Sequence, residues 1–150
     1  MPNIDVGPGA ANRATNTTTA YTYIDLANPA NATGKVTLIE LWFDTDATGV
    51  LVGSFAVNGG DPTKYTNRAY GTIGAVASGA KRTFNAPADF TEFDVVTGDY
   101  LGVYMGTGLI DTDTLGGSGV YFKAGNQFGA GEQTYASAAA AAVSIYATRT

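Results

Sequence analysis

Three oxygen-bearing side chains in the first third of the chain have the spacing of a calcium-binding loop. Asp44, Asp46 and Thr48 occupy the first, third and fifth positions of such a loop, and Gly49 occupies the sixth. The twelfth position, where a glutamate would complete the calcium site, is Phe55. The pattern therefore favours a tight turn between two strands, with a calcium ion held by Asp44, Asp46 and Thr48 as the alternative.

A second loop repeats the beginning of this pattern further along the chain. Asp111 and Asp113 stand at its first and third positions, but Leu115 replaces the oxygen ligand at the fifth. This loop also favours a turn. If both loops lie at the same end of the fold, however, their four carboxylates could pool around one cation, and the case for calcium becomes stronger.

Glu40 is the best candidate for acid–base chemistry. It lies between Ile39 and Leu41 in an apolar segment, and burial would raise its pKa, as the general acid of a glycoside hydrolase requires. No motif anchors a second carboxylate, and a basic partner on a neighbouring strand is the commoner setting for such a glutamate. The candidate partners are Lys35, Lys64, Arg68, Lys81 and Arg82. We expect no enzymatic activity and no cofactor other than a structural calcium ion.

Aromatic side chains offer a different chemistry, since an exposed ring can pack against a sugar. Trp42, Tyr65, Tyr70 and Tyr121 are candidate ligand or interface residues. Each tyrosine could equally belong to a subunit interface or to the edge of a core. Arg13, in the N-terminal segment, is a candidate contact with a neighbouring subunit, or simply a solvated charge.

The composition of the 150 residues excludes several classes of function. The absence of cysteine and histidine rules out thiolate nucleophiles, zinc–thiolate sites and histidine general bases. A net charge of -5, with basic residues scattered along the chain, gives no phosphate-binding patch, so we expect no nucleic-acid partner. No apolar stretch is long enough to span a bilayer, so we expect no membrane partner.

The elements that must position these residues are predicted to be strands. Twenty glycines, nine tyrosines and seven phenylalanines, with only four lysines and three glutamates, favour short strands joined by tight turns. Hydrophobic alternation predicts an all-β, antiparallel β-sandwich of eight to nine strands, jelly-roll-like, in a single domain over 1–150 with an extended N-terminal arm at about 1–19. The predicted strands are 20–26, 35–43, 50–58, 66–74, 81–85, 90–96, 99–105, 118–123 and 142–149.

Three short segments carry a resemblance to a known type of domain. The run from Val95 to Tyr104, together with Ile4–Gly7 and Asn12–Arg13, is similar to jelly-roll domains of phage virion surface proteins and of sugar-binding modules. The resemblance implies a role in display or adhesion without catalysis. The resemblance identifies no individual binding residue in this sequence, because the shared motifs reflect the geometry of strands and turns and not the chemistry of a site.

The leading hypothesis is a structural protein of a phage particle. Such a chain would decorate the capsid or form another surface component, assemble as a symmetric oligomer with a trimer as one option, and dock on the major capsid protein or another virion protein. The first residues show no secretory signal, so we expect synthesis in the host cytoplasm and localisation in the virion. The alternative is an extracellular carbohydrate-binding or adhesin module that binds a glycan, assisted by calcium.

Overall fold

The computed structural model describes residues 3–149, which form an antiparallel β-sandwich. In this part of the chain no helix is long and apolar enough to cross a membrane. The described strands are β1 (Ile4–Val6), β2 (Thr15–Asn16), β3 (Tyr21–Asp25), β4 (Gly34–Val36), β5 (Leu38–Trp42), β6 (Ala47–Val57), β7 (Lys64–Val76), β8 (Lys81–Asn85), β9 (Phe93–Val95), β10 (Tyr100–Tyr104), β11 (Asp111–Asp113), β12 (Val120–Ala124), β13 (Glu132–Thr134), β14 (Ala136–Ala138), β15 (Ala142–Val143) and β16 (Ile145–Arg149).

The larger sheet has seven strands in the order β13-β7-β6-β10-β3-β12-β14. Its central strand β10 shows why the sheet has two different faces, because successive side chains of a strand point to opposite sides. Leu101 and Val103 are fully buried in the main core, whereas Tyr100 and Tyr104 lie half-buried on the outer side. Alternation in the sequence thus creates an aliphatic inner face and an aromatic outer face.

The second sheet has four strands in the order β1-β16-β5-β8, and two smaller sheets, β15-β11-β2 and β4-β9, complete the sandwich. Ile39 and Leu41 of β5 and Ile145 of β16 are fully buried against the inner face of the larger sheet. The inner faces therefore share one hydrophobic core, and burial of apolar side chains between the sheets holds them together.

The predicted fold class is confirmed, and each of the nine predicted segments contains or overlaps a strand. The number of strands is larger than predicted for two reasons. The segment 35–43 is divided at Thr37 between β4 and β5, which belong to different sheets, and the last segment is divided at Ser144. Five further strands of two or three residues, β1, β2, β11, β13 and β14, are too short to show a sequence period and form because partners lie beside them.

The N-terminal segment runs along its own chain for the part that the structure describes. Strand β1 pairs with β16, and both Ile4 and Val6 are buried in the core. Strand β2 pairs with β11. Residues 1 and 2 of the predicted arm lie outside the described residues. From residue 3 onward, then, the segment predicted as an extended arm is tied into two sheets.

Candidate functional site

The outer face of the seven-stranded sheet carries an exposed aromatic surface. Five half-buried side chains, from three of its strands and the residue after β3, form this tyrosine face, namely Leu26, Leu51, Tyr100, Tyr104 and Tyr121. Beneath them lies a second, smaller core that contains Ile24, Phe55, Tyr65, Phe128 and Tyr135. The tyrosine face is therefore the exposed rim of an aromatic cluster that is itself firmly packed.

Ring contacts fix the geometry of this cluster. The ring centroid of Tyr65 lies 5.0 Å from that of Tyr121 and 6.1 Å from that of Tyr100. The Phe55 and Phe128 rings meet edge to face with centroids 5.2 Å apart. Edge-to-face pairs contribute about 0.5–1.5 kcal/mol beyond the burial of their surface area. The exposed tyrosines are thus held in position by the buried ones.

The structure separates the tyrosines that the sequence could not distinguish. Tyr65 is a core residue, only 2% exposed, and burial raises the pKa of its hydroxyl. Burial also raises the pKa of Tyr135 to about 12, and the Tyr135 hydroxyl has no hydrogen-bond partner in residues 3–149. Tyr70 is 43% exposed, with its ring against Phe128, and Tyr121 belongs to the tyrosine face. Tyr70 and Tyr121 remain accessible candidates, whereas Tyr65 is a buried residue that packs against Tyr121.

A second feature, the threonine–tyrosine groove, lies on the inner side of β3 and β12. It has a volume of about 280 Å³ and is lined by Asn16, Thr17, Thr18, Tyr21, Tyr23, Thr112, Thr114, Val120, Phe122, Ala138, Ala141 and Val143. Sequence reasoning missed this groove. Its walls come from six strands and the loops beside them, and only the pairing of β12 with both β3 and β14 brings several of them together.

The three predicted calcium ligands each face a different protein partner. Asp44 Oδ2 accepts a hydrogen bond from Asn16 at 2.8 Å, and Asp46 Oδ1 accepts bonds from the Ser78 amide and hydroxyl at 2.9 Å. The Thr48 hydroxyl is bonded to that of Thr107. Within residues 3–149 no group of three or more acidic side chains is arranged to hold a metal ion. Calcium binding at Asp44, Asp46 and Thr48 stays a prediction.

The two acidic loops do lie at the same end of the sandwich. A bridge joins Phe43 to Ile110, and the Asp44 amide donates to the Leu109 carbonyl at 2.8 Å. The turn predicted for the second loop starts only at Thr114, because Asp111 to Asp113 form strand β11. Pairing with β2 and β15 outweighs the turn preference of Asp and Thr.

Arg13 contacts both carboxylates of the second acidic loop. Its guanidinium donates to Asp113 Oδ2 at 2.9 Å, to the Ser144 hydroxyl at 2.8 Å and to the Gly9 carbonyl at 2.9 Å. Its backbone amide donates to Asp111 Oδ2, and the side chain is only 13% exposed. This guanidinium lowers the pKa of Asp113. Arg13 thus connects distant segments of its own chain.

Glu40 and Trp42 lie on the outer face of the four-stranded sheet, away from the tyrosine face. Both are half-buried, and Lys81 Nζ lies 3.5 Å from Glu40 Oε2 across the β5–β8 pair. A basic partner on the neighbouring strand is the arrangement that the sequence favoured for Glu40. The structure thus places Glu40 in a cross-strand ion pair.

Sequence reasoning also missed a buried carboxyl group beneath the threonine–tyrosine groove. Asp25 is fully buried, and its two oxygens accept hydrogen bonds from the Ala27 amide at 2.8 Å and the Val143 amide at 2.9 Å. Burial raises the pKa of Asp25 from 3.8 to about 6, although the two amides lower it in part. The sequence pattern that could have revealed this buried group is an aspartate at the end of the apolar strand β3, on the same face as Tyr21 and Tyr23.

The buried Asp25 should make stability depend on pH. Between about pH 4 and pH 6 the unfolded chain releases this proton while the folded chain keeps it, so the free energy of unfolding should fall as pH rises, by about 2 kcal/mol. Urea unfolding of the wild type and of Asp25→Asn across this range measures the difference. The asparagine variant should lack this contribution, because it cannot ionise. Parallel pH profiles for the two proteins would contradict the assignment.

Comparison of the chain with protein-family models, with curated proteins and with solved structures found no match in any of the three. The candidate sites are therefore the surfaces that the fold itself presents. These are the tyrosine face on the outside of the larger sheet and the threonine–tyrosine groove on its inner side.

Proposed function

We propose that this chain is a non-catalytic structural protein of a phage particle, a surface component that self-associates into a symmetric oligomer through the tyrosine face. The observation that carries the proposal is the tyrosine face itself, in which three tyrosines and two leucines stay half-exposed above a packed aromatic core. Aromatic residues are enriched in the buried centres of protein interfaces, whereas lysine and glutamate are depleted.

The charge distribution supports association on this face. Only 14% of the residues are charged, and on β12 the half-buried Lys123 lies on the same side of the strand as Tyr121. The four ion pairs of the described residues involve Arg13, Lys35, Arg68 and Lys81, none of which belongs to that face. A partner could therefore cover the tyrosine face without removing a salt bridge from water, which makes burial favourable.

A non-catalytic role is supported by the setting of the best acid candidate and by the absence of histidine and cysteine from the sequence. Glu40 is paired with Lys81, on the side of the molecule opposite the tyrosine face. The placement on a phage particle rests on the resemblance of the turn and strand motifs to virion jelly-roll domains. It is tested separately, by cosedimentation of the tagged chain with purified phage particles.

Mass measurement by light scattering after size exclusion tests self-association. We expect the wild type to elute at a small multiple of 15.4 kDa. Ser137 is exposed and pairs with Tyr121 across the β12–β14 ladder, so Ser137→Lys adds a charge at the tyrosine face. This substitution should shift the protein to the monomer, because a desolvated ammonium group opposes burial.

The matched control is Thr83→Lys, which adds the same charge at an exposed position of β8 on the other sheet, opposite Glu40. We expect it to keep the mass of the wild type. A wild-type protein that is monomeric at every concentration tested would overturn the proposal. Equal masses for the two lysine variants would show that association uses a different surface.

A further inference from the structure

We propose that the threonine–tyrosine groove binds a neutral saccharide, an activity beyond self-association through the tyrosine face. The groove combines ring surfaces, free hydroxyl groups and the absence of charge in one concave site. Its volume of about 280 Å³ is close to the lower end of the range for small-molecule sites, which is about 300–1,000 Å³. A space of this size suits a ligand of one or two sugar rings.

Three aromatic rings form one side of the groove. The centroids of Tyr21, Tyr23 and Phe122 lie 6.2–6.3 Å from one another, and the Tyr21 and Tyr23 rings are stacked at 29°. Tyr23 is buried, while Tyr21 and Phe122 remain half-exposed within the groove. Accessible ring faces provide the apolar surface against which the C–H groups of a pyranose pack.

Polar groups for the sugar hydroxyls line the same groove. Thr18 and Thr114 are exposed, and within residues 3–149 neither their hydroxyls nor that of Tyr21 bonds to another protein group. The Tyr23 hydroxyl accepts a bond from the Thr18 amide at 2.8 Å and so holds Thr18 against the rings. Asn16 donates its amide to Asp44, which leaves its carbonyl oxygen available as an acceptor. The site thus offers both donors and acceptors.

Charge selects the class of ligand. None of the twelve residues that line the groove is charged, although the chain as a whole has a net charge of -5. An anionic ligand would lose its hydration without gaining a counter-charge, and Asp25 and Asp44 lie just behind the lining residues Val143 and Asn16, so its binding is costly. For a neutral polyhydroxylated ligand the free-energy cost of leaving water is far smaller, because hydroxyl groups of the groove replace the water molecules around it. The lining chemistry therefore favours a neutral saccharide over an anionic metabolite or an acidic glycan.

A glycan array that carries neutral and sialylated glycans tests this assignment directly, with the labelled chain applied in the presence of a chelator. We expect binding to neutral glycans and at least a tenfold loss of signal for Tyr21→Ala, which removes the half-exposed ring. Ala138→Tyr provides a second, independent test. Ala138 lines the groove on the edge strand β14, so a larger side chain there fills the groove without removing a core residue.

Tyr70→Ala is the matched control, because it removes an exposed tyrosine from the opposite side of the larger sheet. It should bind glycans as the wild type does. Silence of the wild type on all neutral glycans, selective binding of sialylated glycans, or equal signals from Tyr70→Ala and Tyr21→Ala would each overturn the proposal. Light scattering on the same samples measures self-association independently of glycan binding. The groove variants should keep the mass of the wild type even where they lose glycan binding.

Discussion

Replacement of Gly102 by alanine is expected to lower the free energy of unfolding by about 3 kcal/mol, in the range of severe overpacking. Gly102 lies in the central strand β10, and the Phe55 ring lies directly over it. A methyl group on Gly102 would stand 2.7 Å from Phe55 Cδ1 and 3.0 Å from the Tyr23 carbonyl oxygen. Phe55 is fully buried against Phe128 and Tyr135, so its ring has no free space into which to move.

Gly53 faces Gly102 across the β6–β10 ladder and has the same role. Its methyl group would lie 2.6 Å from Tyr70 Cβ. At Gly102 the missing side chain lets the Phe55 ring lie against the sheet, and at Gly53 it lets strand β7 approach closely at Tyr70, so Gly53→Ala should also destabilise the protein. Gly59→Ala is the control, since Gly59 is exposed and no atom lies within 4 Å of the place that the new methyl group would take. We expect this control substitution to be nearly neutral.

Urea unfolding at one fixed protein concentration compares these glycine variants, because association would otherwise alter the apparent stability. Midpoints of Gly102→Ala and Gly59→Ala that coincide with the wild type would show that the aromatic core tolerates a methyl group. In that case the close contact between the Phe55 ring and Gly102 would not be needed for the stability of the aromatic core.

The second large effect is expected for Arg13→Ala, which should lower the free energy of unfolding by about 3 kcal/mol. The substitution leaves Asp113 without its cation and removes the bonds to the Ser144 hydroxyl and the Gly9 carbonyl. Asp111 is buried nearby, and burial already raises its pKa, so loss of the neighbouring positive charge adds to the cost of its ionised form. Arg13→Lys should recover little, because one ammonium group cannot replace three directed bonds.

Lys35→Ala serves as the control for the arginine variant. The Lys35–Asp94 pair is equally short, at 2.8 Å, but its side chains are 46% and 61% exposed. Such surface pairs contribute between about 0 and 1 kcal/mol. Equal effects of Arg13→Ala and Lys35→Ala in chemical unfolding would contradict the view that Arg13 ties the N-terminal segment to the sandwich.

The two proposed surfaces are built from the same strands. On β12, Tyr121 belongs to the tyrosine face and the next residue, Phe122, lines the groove. On β3, Ile24 lies in the aromatic core of the outer side, while Tyr23 lies beside the groove. Because neighbouring residues of a strand point to opposite sides, an oligomer formed through the tyrosine face leaves the groove open to a ligand.

Much of the architecture was predictable from local patterns. The strand segments 35–43, 99–105 and 142–149, which contain β5, β10 and β16, were predicted from alternation, because a half-buried strand must keep a period of two along its own length. The ion pair of Glu40 was also foreseen as a cross-strand pair, although the sequence left five basic partners open and only the β5–β8 register selected Lys81.

The sequence by itself determined the fold class, the excluded chemistries and the set of aromatic side chains from which a surface could be built. Only the tertiary structure decided which tyrosines are buried, that Arg13 binds both aspartates of the second acidic loop, and that Tyr21 and Phe122 share a groove. These facts depend on contacts between residues about one hundred positions apart, such as Arg13 with Asp113 and Tyr23 with Phe122. Local propensity carries no information about such pairs, because strand register and sheet order set them when the whole core packs.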